Sequence, residues 1–97
     1  MTPYSDFIRQ DIRLVILRLL VEMTAYRANS SVLTMALDTF GHTLSRDQVK
    51  TELNWLAEQG ALTLEDVGPV IVATLTERGQ DIAAGRARAP GIKRPGA

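Results

Sequence analysis

Cysteine is absent from the 97-residue chain, which excludes disulfide staples, thiolate zinc sites and cysteine nucleophiles together. Histidine is almost absent as well. His42 stands alone, so a histidine metal set or a serine triad lacks its members. The carboxylates are scattered singly apart from Glu65-Asp66, whereas an oxygen-ligand site needs several close together. No nucleophile beside a base and no phosphate-binding loop is present, so the expectation is a protein without catalysis, cofactor or metal. Long apolar runs are missing too. The longest, LVILRLLV at 14–21, is broken by Arg18 and is far shorter than the roughly 20 residues that span a bilayer. Residues 1–7 have no basic start and no A-x-A site follows. A soluble, cytoplasmic protein without a membrane partner is expected.

A net charge is also lacking, but the zero hides an uneven distribution. Residues 1–81 hold seven Lys/Arg against eleven Asp/Glu, while residues 82–97 carry Arg86, Arg88, Lys93 and Arg94 and no acid. The body is acidic and the tail basic. With 45% hydrophobic residues, the chain can bury one modest core, which makes it a single small domain.

What is present is helical periodicity. Ser5 or Asp6 can cap a first helix that continues to about Tyr26. At about 100° per residue, Ile8, Ile12, Val15, Ile16, Leu19 and Met23 share one side, with Phe7, Leu14, Leu17 and Val21 on the other. A helix apolar nearly all round is covered on more than one side, and so short a chain has few elements to cover it. A homodimer through this helix is the expected second cover, with a central helix buried within the monomer as the alternative. RANSS at 27–31 is a polar break with Asn29 or Ser30 as cap of a short second helix, closed by Gly41. His42 reads as an ordinary turn or capping residue.

In LSRDQVKTELNWLAEQGAL, residues 44–62, Ser45 and Gln48 form a capping box, Val49, Leu53 and Leu56 a buried stripe, and Gly60 a terminator. The second and third helices thus form a helix-turn-helix. After Gly60 the period changes. ALTLED alternates, VGP offers turn chemistry and PVIVATLT is β-branched, which together predict a β-hairpin. Thr76 can cap a short last helix. The predicted organisation is a domain over residues 1–86 and a flexible basic tail over 87–97, whose prolines, glycines and cations predict no packed core.

This order, mainly α with a small β-hairpin (α-α-α-β-β-α), resembles the winged helix-turn-helix fold of the ArsR and MarR groups of bacterial regulators. The likeness rests on SRDQVKTELNWLAEQGAL and on LTERGQDIAAGR at 75–86, which is similar to the L-T-x-x-G exit from the wing. Small prophage-type proteins have a similar appearance. The resemblance implies a dimer whose third helix enters the major groove of double-stranded DNA while the hairpin tip touches neighbouring phosphates or the minor groove. Opposite the apolar stripe lie Asp47, Thr51, Asn54 and Glu58, with Arg46 and Lys50 at one flank and Gln48 at the other. Asn54 suits adenine, Thr51 a thymine methyl or a phosphate, and Arg46 or Lys50 guanine or the backbone, with Gln48 secondary. Arg86, Arg88, Lys93 and Arg94 are the candidate backbone contacts. Against these stand Asp47, a charge of −1 over residues 45–59, and Glu65-Asp66 where a wing usually offers cations. A merely solvated polar face stays open at this point. Trp55, on the flank of the third helix, is expected to pack against a neighbouring helix or the hairpin. Metal sensing of the ArsR kind is rejected for want of ligands, and a MarR-like small-molecule pocket stays open. The reading is a DNA-binding regulator of transcription. The alternative is a winged-helix module that binds protein only, through the first helix or Trp55.

Overall fold

The computed structural model describes residues 3–96. Four helices, α1 (Pro3–Glu22), α2 (Ser30–Thr39), α3 (Arg46–Glu58) and α4 (Glu77–Ala84), pack with strands β1 (Arg27–Asn29), β2 (Leu62–Val67) and β3 (Val70–Leu75). The strands form an antiparallel sheet in the order β1-β3-β2. This is a winged-helix architecture, mainly helical with a small sheet. Among the described residues no helix is long and apolar enough to cross a membrane.

Three of the predicted caps are in place, whereas α1 already begins at Pro3, so that Ser5 and Asp6, expected as its cap, lie inside the helix. Asn29 Oδ1 accepts from Val32 N, Ser45 and Gln48 exchange both capping-box bonds, and the Thr76 side chain accepts from Gly79 N. Ser30, the other candidate cap, does something else: its buried hydroxyl accepts from Ile71 N at 3.1 Å and ties α2 to β3. The hairpin closes through Gly68-Pro69, with Val67 opposite Val70.

Three differences from the sequence reading have physical causes. First, α1 ends at Glu22, because Thr24–Tyr26 form a short 3-10 turn with Ala25 and Tyr26 at φ 58 and 56. Second, the wing carries a third strand. Arg27, Ala28 and Asn29 pair with Thr74, Ala73 and Val72; so short a segment shows no period of its own. Third, the C-terminal segment is not a free tail. Ala89 and Ile92 are buried in the core cluster with Leu14, Leu17 and Leu53, and Lys93 N donates to Gln10 O at 3.2 Å. One isoleucine and one alanine suffice to bind a segment whose composition otherwise suggests solvent exposure.

That segment also supplies part of the second cover that α1 requires. Ile12, Leu14, Ile16, Leu17 and Leu20 are all buried within one subunit. The large apolar side chains that α1 leaves exposed are Tyr4 and Phe7, at 73% and 69%, and Val21.

Candidate nucleic-acid interface

Helix α3 is oriented by its sealed side. Val49, Leu53 and Leu56 have no solvent exposure, while Asp47, Thr51, Asn54 and Glu58 are exposed. Two exposed polar side chains are hydrogen-bonded back to their own helix. Thr51 Oγ1 donates to Asp47 O at 3.0 Å, and Asn54 Nδ2 donates to Lys50 O at 2.8 Å. Arg46 is exposed near the N-terminus. The side-chain carbonyl of Gln48 accepts from Ser45 N at 2.9 Å, so this residue holds the helix start.

The two flanks of the exposed strip are tied to different parts of the fold. On one, Lys50 Nζ donates to Pro69 O at 2.9 Å, joining α3 to the wing turn. On the other, the Arg13 guanidinium lies 3.7 Å from the Trp55 ring centroid, a cation–π contact, and Gly91 packs on the same indole. Trp55 therefore packs between α1 and the C-terminal segment. At about 100° per residue the order around α3 is Lys50, Asn54, Asp47, Glu58, Thr51, Trp55. The exposed strip lies between a wing tether and a C-terminal tether.

Beneath Trp55 is a charged cluster that sequence reasoning missed. Glu52 is buried and accepts from Arg13 Nε at 2.7 Å and Arg9 Nε at 3.1 Å. Arg13, itself buried, also donates to Gly91 O at 2.9 Å. The available signal was faint: Glu52 falls at the edge of the α3 stripe next to Leu56, and Arg13 falls between Leu17 and Leu20 on α1. Each needs an opposite charge when buried.

His42 is another correction. It is not merely a turn residue, since its Nε2 lies 2.7 Å from Asp11 Oδ2 across 31 positions of sequence. Lys93 Nζ lies 3.4 Å from the other oxygen of the same carboxylate. Burial alone would raise the Asp11 pKa, but the hydrogen bonds and charges of His42 and Lys93 outweigh it and hold the carboxyl below its ordinary value.

The remaining cations divide. Arg86 Nε donates to Asp81 Oδ1 at 2.9 Å, and Arg78 Nε donates to Gln59 O at 2.9 Å at the end of α3. Arg88 and Arg94 are exposed. At the wing, Glu65 and Asp66 are exposed, with Arg27 3.9 Å from Glu65. No set of three or more His, Asp or Glu side chains placed to hold a metal ion occurs among the described residues.

No family model matches the sequence. Over 91 residues, 94% of each chain, it is 50% identical to a protein of Escherichia phage Mu described as uncharacterized protein gp26. It is 47% identical over 76 residues to an uncharacterized protein of Haemophilus influenzae, covering 77% of this chain and 74% of that one. Among solved structures it is similar to a MarR family transcriptional regulator from Streptomyces coelicolor, crystallised in complex with DNA, with a TM-score of 0.64. That match covers 90% of this chain and 55% of the regulator at 20% identity. This chain thus spans about half the regulator's length, and the likeness is one of fold. By sequence, the chain belongs to the family of the phage Mu gp26 protein.

Proposed function

We propose that this protein is a DNA-binding winged-helix protein that regulates transcription without catalysis, with α3 entering the major groove. One observation carries the reading. The fold seals one side of α3 completely and leaves the opposite strip, with Thr51 and Asn54, clear of any other element. The fold likeness to a MarR regulator solved with DNA supports DNA as the partner. Asn54 keeps its side-chain oxygen for an adenine amino group, and Arg46 stands where a guanine edge or a phosphate would lie. Lys50 and Gln48 act first as structural ties and reach DNA only by exchanging those bonds.

The test is selection of a target from random duplexes at about 50 mM salt, where even non-specific phosphate contacts register. Asn54→Ala is expected to weaken binding to the selected site by about 1–3 kcal/mol while leaving non-specific binding unchanged. If the wild type retains no duplex, the reading fails. The acidic wing tip favours the second reading, a module that binds protein only.

A homodimer along α1 belongs to the proposal. The outer face of α1 has two unlike halves. Its C-terminal half floors an apolar groove of about 500 Å³ with Val15 and Leu19, walled by Phe40 and Ala83 and rimmed by Arg18 and Arg86. Its N-terminal half projects Tyr4 and Phe7. A two-fold, antiparallel pairing places each subunit's aromatics in the other's groove, as a self-complementary contact requires. Sedimentation is expected to give twice the subunit mass for the wild type and a single subunit for Phe7→Glu. A monomeric wild type rejects this arrangement.

A further inference from the structure

The proposed DNA reading leaves one problem: the wing, which ordinarily lies against phosphate, is acidic at its tip. We infer that phosphate contact is made instead by the C-terminal segment, residues 86–96, acting as a fixed basic strap on the opposite flank of α3. The inference rests on the DNA reading and specifies where its attraction comes from.

The strap is held in place by apolar burial and backbone contacts, with one ion pair, Lys93 to Asp11, beside them. Ala89 and Ile92 are buried. The Gly91 carbonyl receives Arg13 at 2.9 Å, and the Lys93 backbone N–H reaches Gln10 O at 3.2 Å. Gly91 adopts φ 93, and a Cβ there would stand 2.8 Å from the Trp55 ring. Only glycine satisfies both the left-handed backbone and the close approach. The strap is thereby fixed to the indole of α3 at the edge of the exposed strip, beyond Thr51.

The strap is more basic than the wing. Glu65 and Asp66 at the wing tip have only Arg27, 3.9 Å from Glu65, and Lys50, held to Pro69 O, near them as cations. The strap holds Arg88 and Arg94 exposed, with Lys93 paired to Asp11 and Arg86 to Asp81, and Arg9, with its side chain 38% exposed, adjoins it through Glu52. A helix in the major groove has a sugar-phosphate backbone along each side. The more basic flank is drawn to its backbone more strongly than the wing flank, so the molecule leans toward the strap. The acidic net charge of the body then ceases to count against binding, because the attraction is local.

The experiment uses the whole chain with Arg88→Gln and Arg94→Gln together, both exposed and outside the ties that hold the strap. Each lost phosphate contact lowers the salt dependence by about 0.9. The slope of log K on log salt should therefore fall by about 1.8, so that the wild type's loss of affinity between 50 and 200 mM salt exceeds the variant's by roughly tenfold. Unchanged Trp55 emission and thermal midpoint would show that the strap is still docked. Glu65→Gln with Asp66→Asn on the wing should leave the slope unaltered. If the strap variant keeps the wild-type slope, or the wing variant shifts it as much, the inference falls while the DNA reading stands. If the wild type binds no duplex, both fall.

Discussion

Glu52→Ala is expected to lower the unfolding free energy by about 3–5 kcal/mol, the cost of removing one partner from a buried ion pair. The Glu52 carboxylate is the common acceptor for Arg13 at 2.7 Å and Arg9 at 3.1 Å, and its side chain and that of Arg13 are 8% and 10% exposed. Without it, Arg13 keeps only the Trp55 face and the Gly91 carbonyl, and neither carries a full negative charge. A desolvated guanidinium is left uncompensated. Arg9 suffers less, being more exposed. Because Arg13 also holds Gly91, the variant should release the strap, which the single tryptophan reports directly. Urea titration followed by Trp55 fluorescence gives the number. A loss below about 1 kcal/mol, the range of an exposed pair, would mean that water reaches the cluster. Glu52→Leu combined with Arg13→Met should recover most of the stability, since a buried pair replaced by apolar groups of similar volume is often neutral or better.

This cluster also marks how far the sequence could be read. Helix α3 was legible because its signals are local: Ser45 and Gln48 lie three residues apart, and Val49, Leu53 and Leu56 repeat at helical spacing. The same locality made the exposure of Thr51 and Asn54 readable, since they lie opposite that stripe. What escaped was set by distant partners. Asp11 and His42 meet across 31 positions and Arg13 and Gly91 across 78, and no periodicity records such pairs. Strand β1 owes its existence to β3, its neighbour in the sheet but remote from it in sequence, as Arg27 opposite Thr74 shows. The C-terminal segment misled for another reason. Its composition describes the average residue, whereas its position is decided by Ile92 and by the lack of a side chain at Gly91. The all-round apolar pattern of α1 calls for two covers, and the strap, invisible in the sequence as a packing element, supplies part of the second.

The same logic of space without sequence signal applies at Gly79, where the expected effect contradicts helix propensity. Within a helix, replacing glycine by alanine ordinarily gains about 1 kcal/mol. Here a Cβ would collide with the Ala61 carbonyl oxygen and stand 2.6 Å from Leu75 Cδ1 and 3.1 Å from the Ala61 carbonyl carbon. The obstacle is backbone and is held on both sides. Ala61 N donates to Leu56 O at 3.1 Å, and Ala61 O accepts from Thr76 N at 3.0 Å. Relief requires α4 to move away from the hairpin base, breaking the contact that closes β2 and β3 onto α3. Overpacking against such a neighbour costs about 3 kcal/mol or more, so Gly79→Ala should be destabilised by about 2 kcal/mol net of the propensity gain. Gly41 gives the contrast. Its φ of 89 penalises a side chain, yet nothing stands within 4 Å of its missing Cβ, so Gly41→Ala should lose only about 1 kcal/mol. Urea midpoints in the order wild type, Gly41→Ala, Gly79→Ala are expected. A Gly79→Ala protein as stable as the wild type would mean that α4 does not abut Ala61, and with it the groove wall that α4 provides beside α1 would be misplaced.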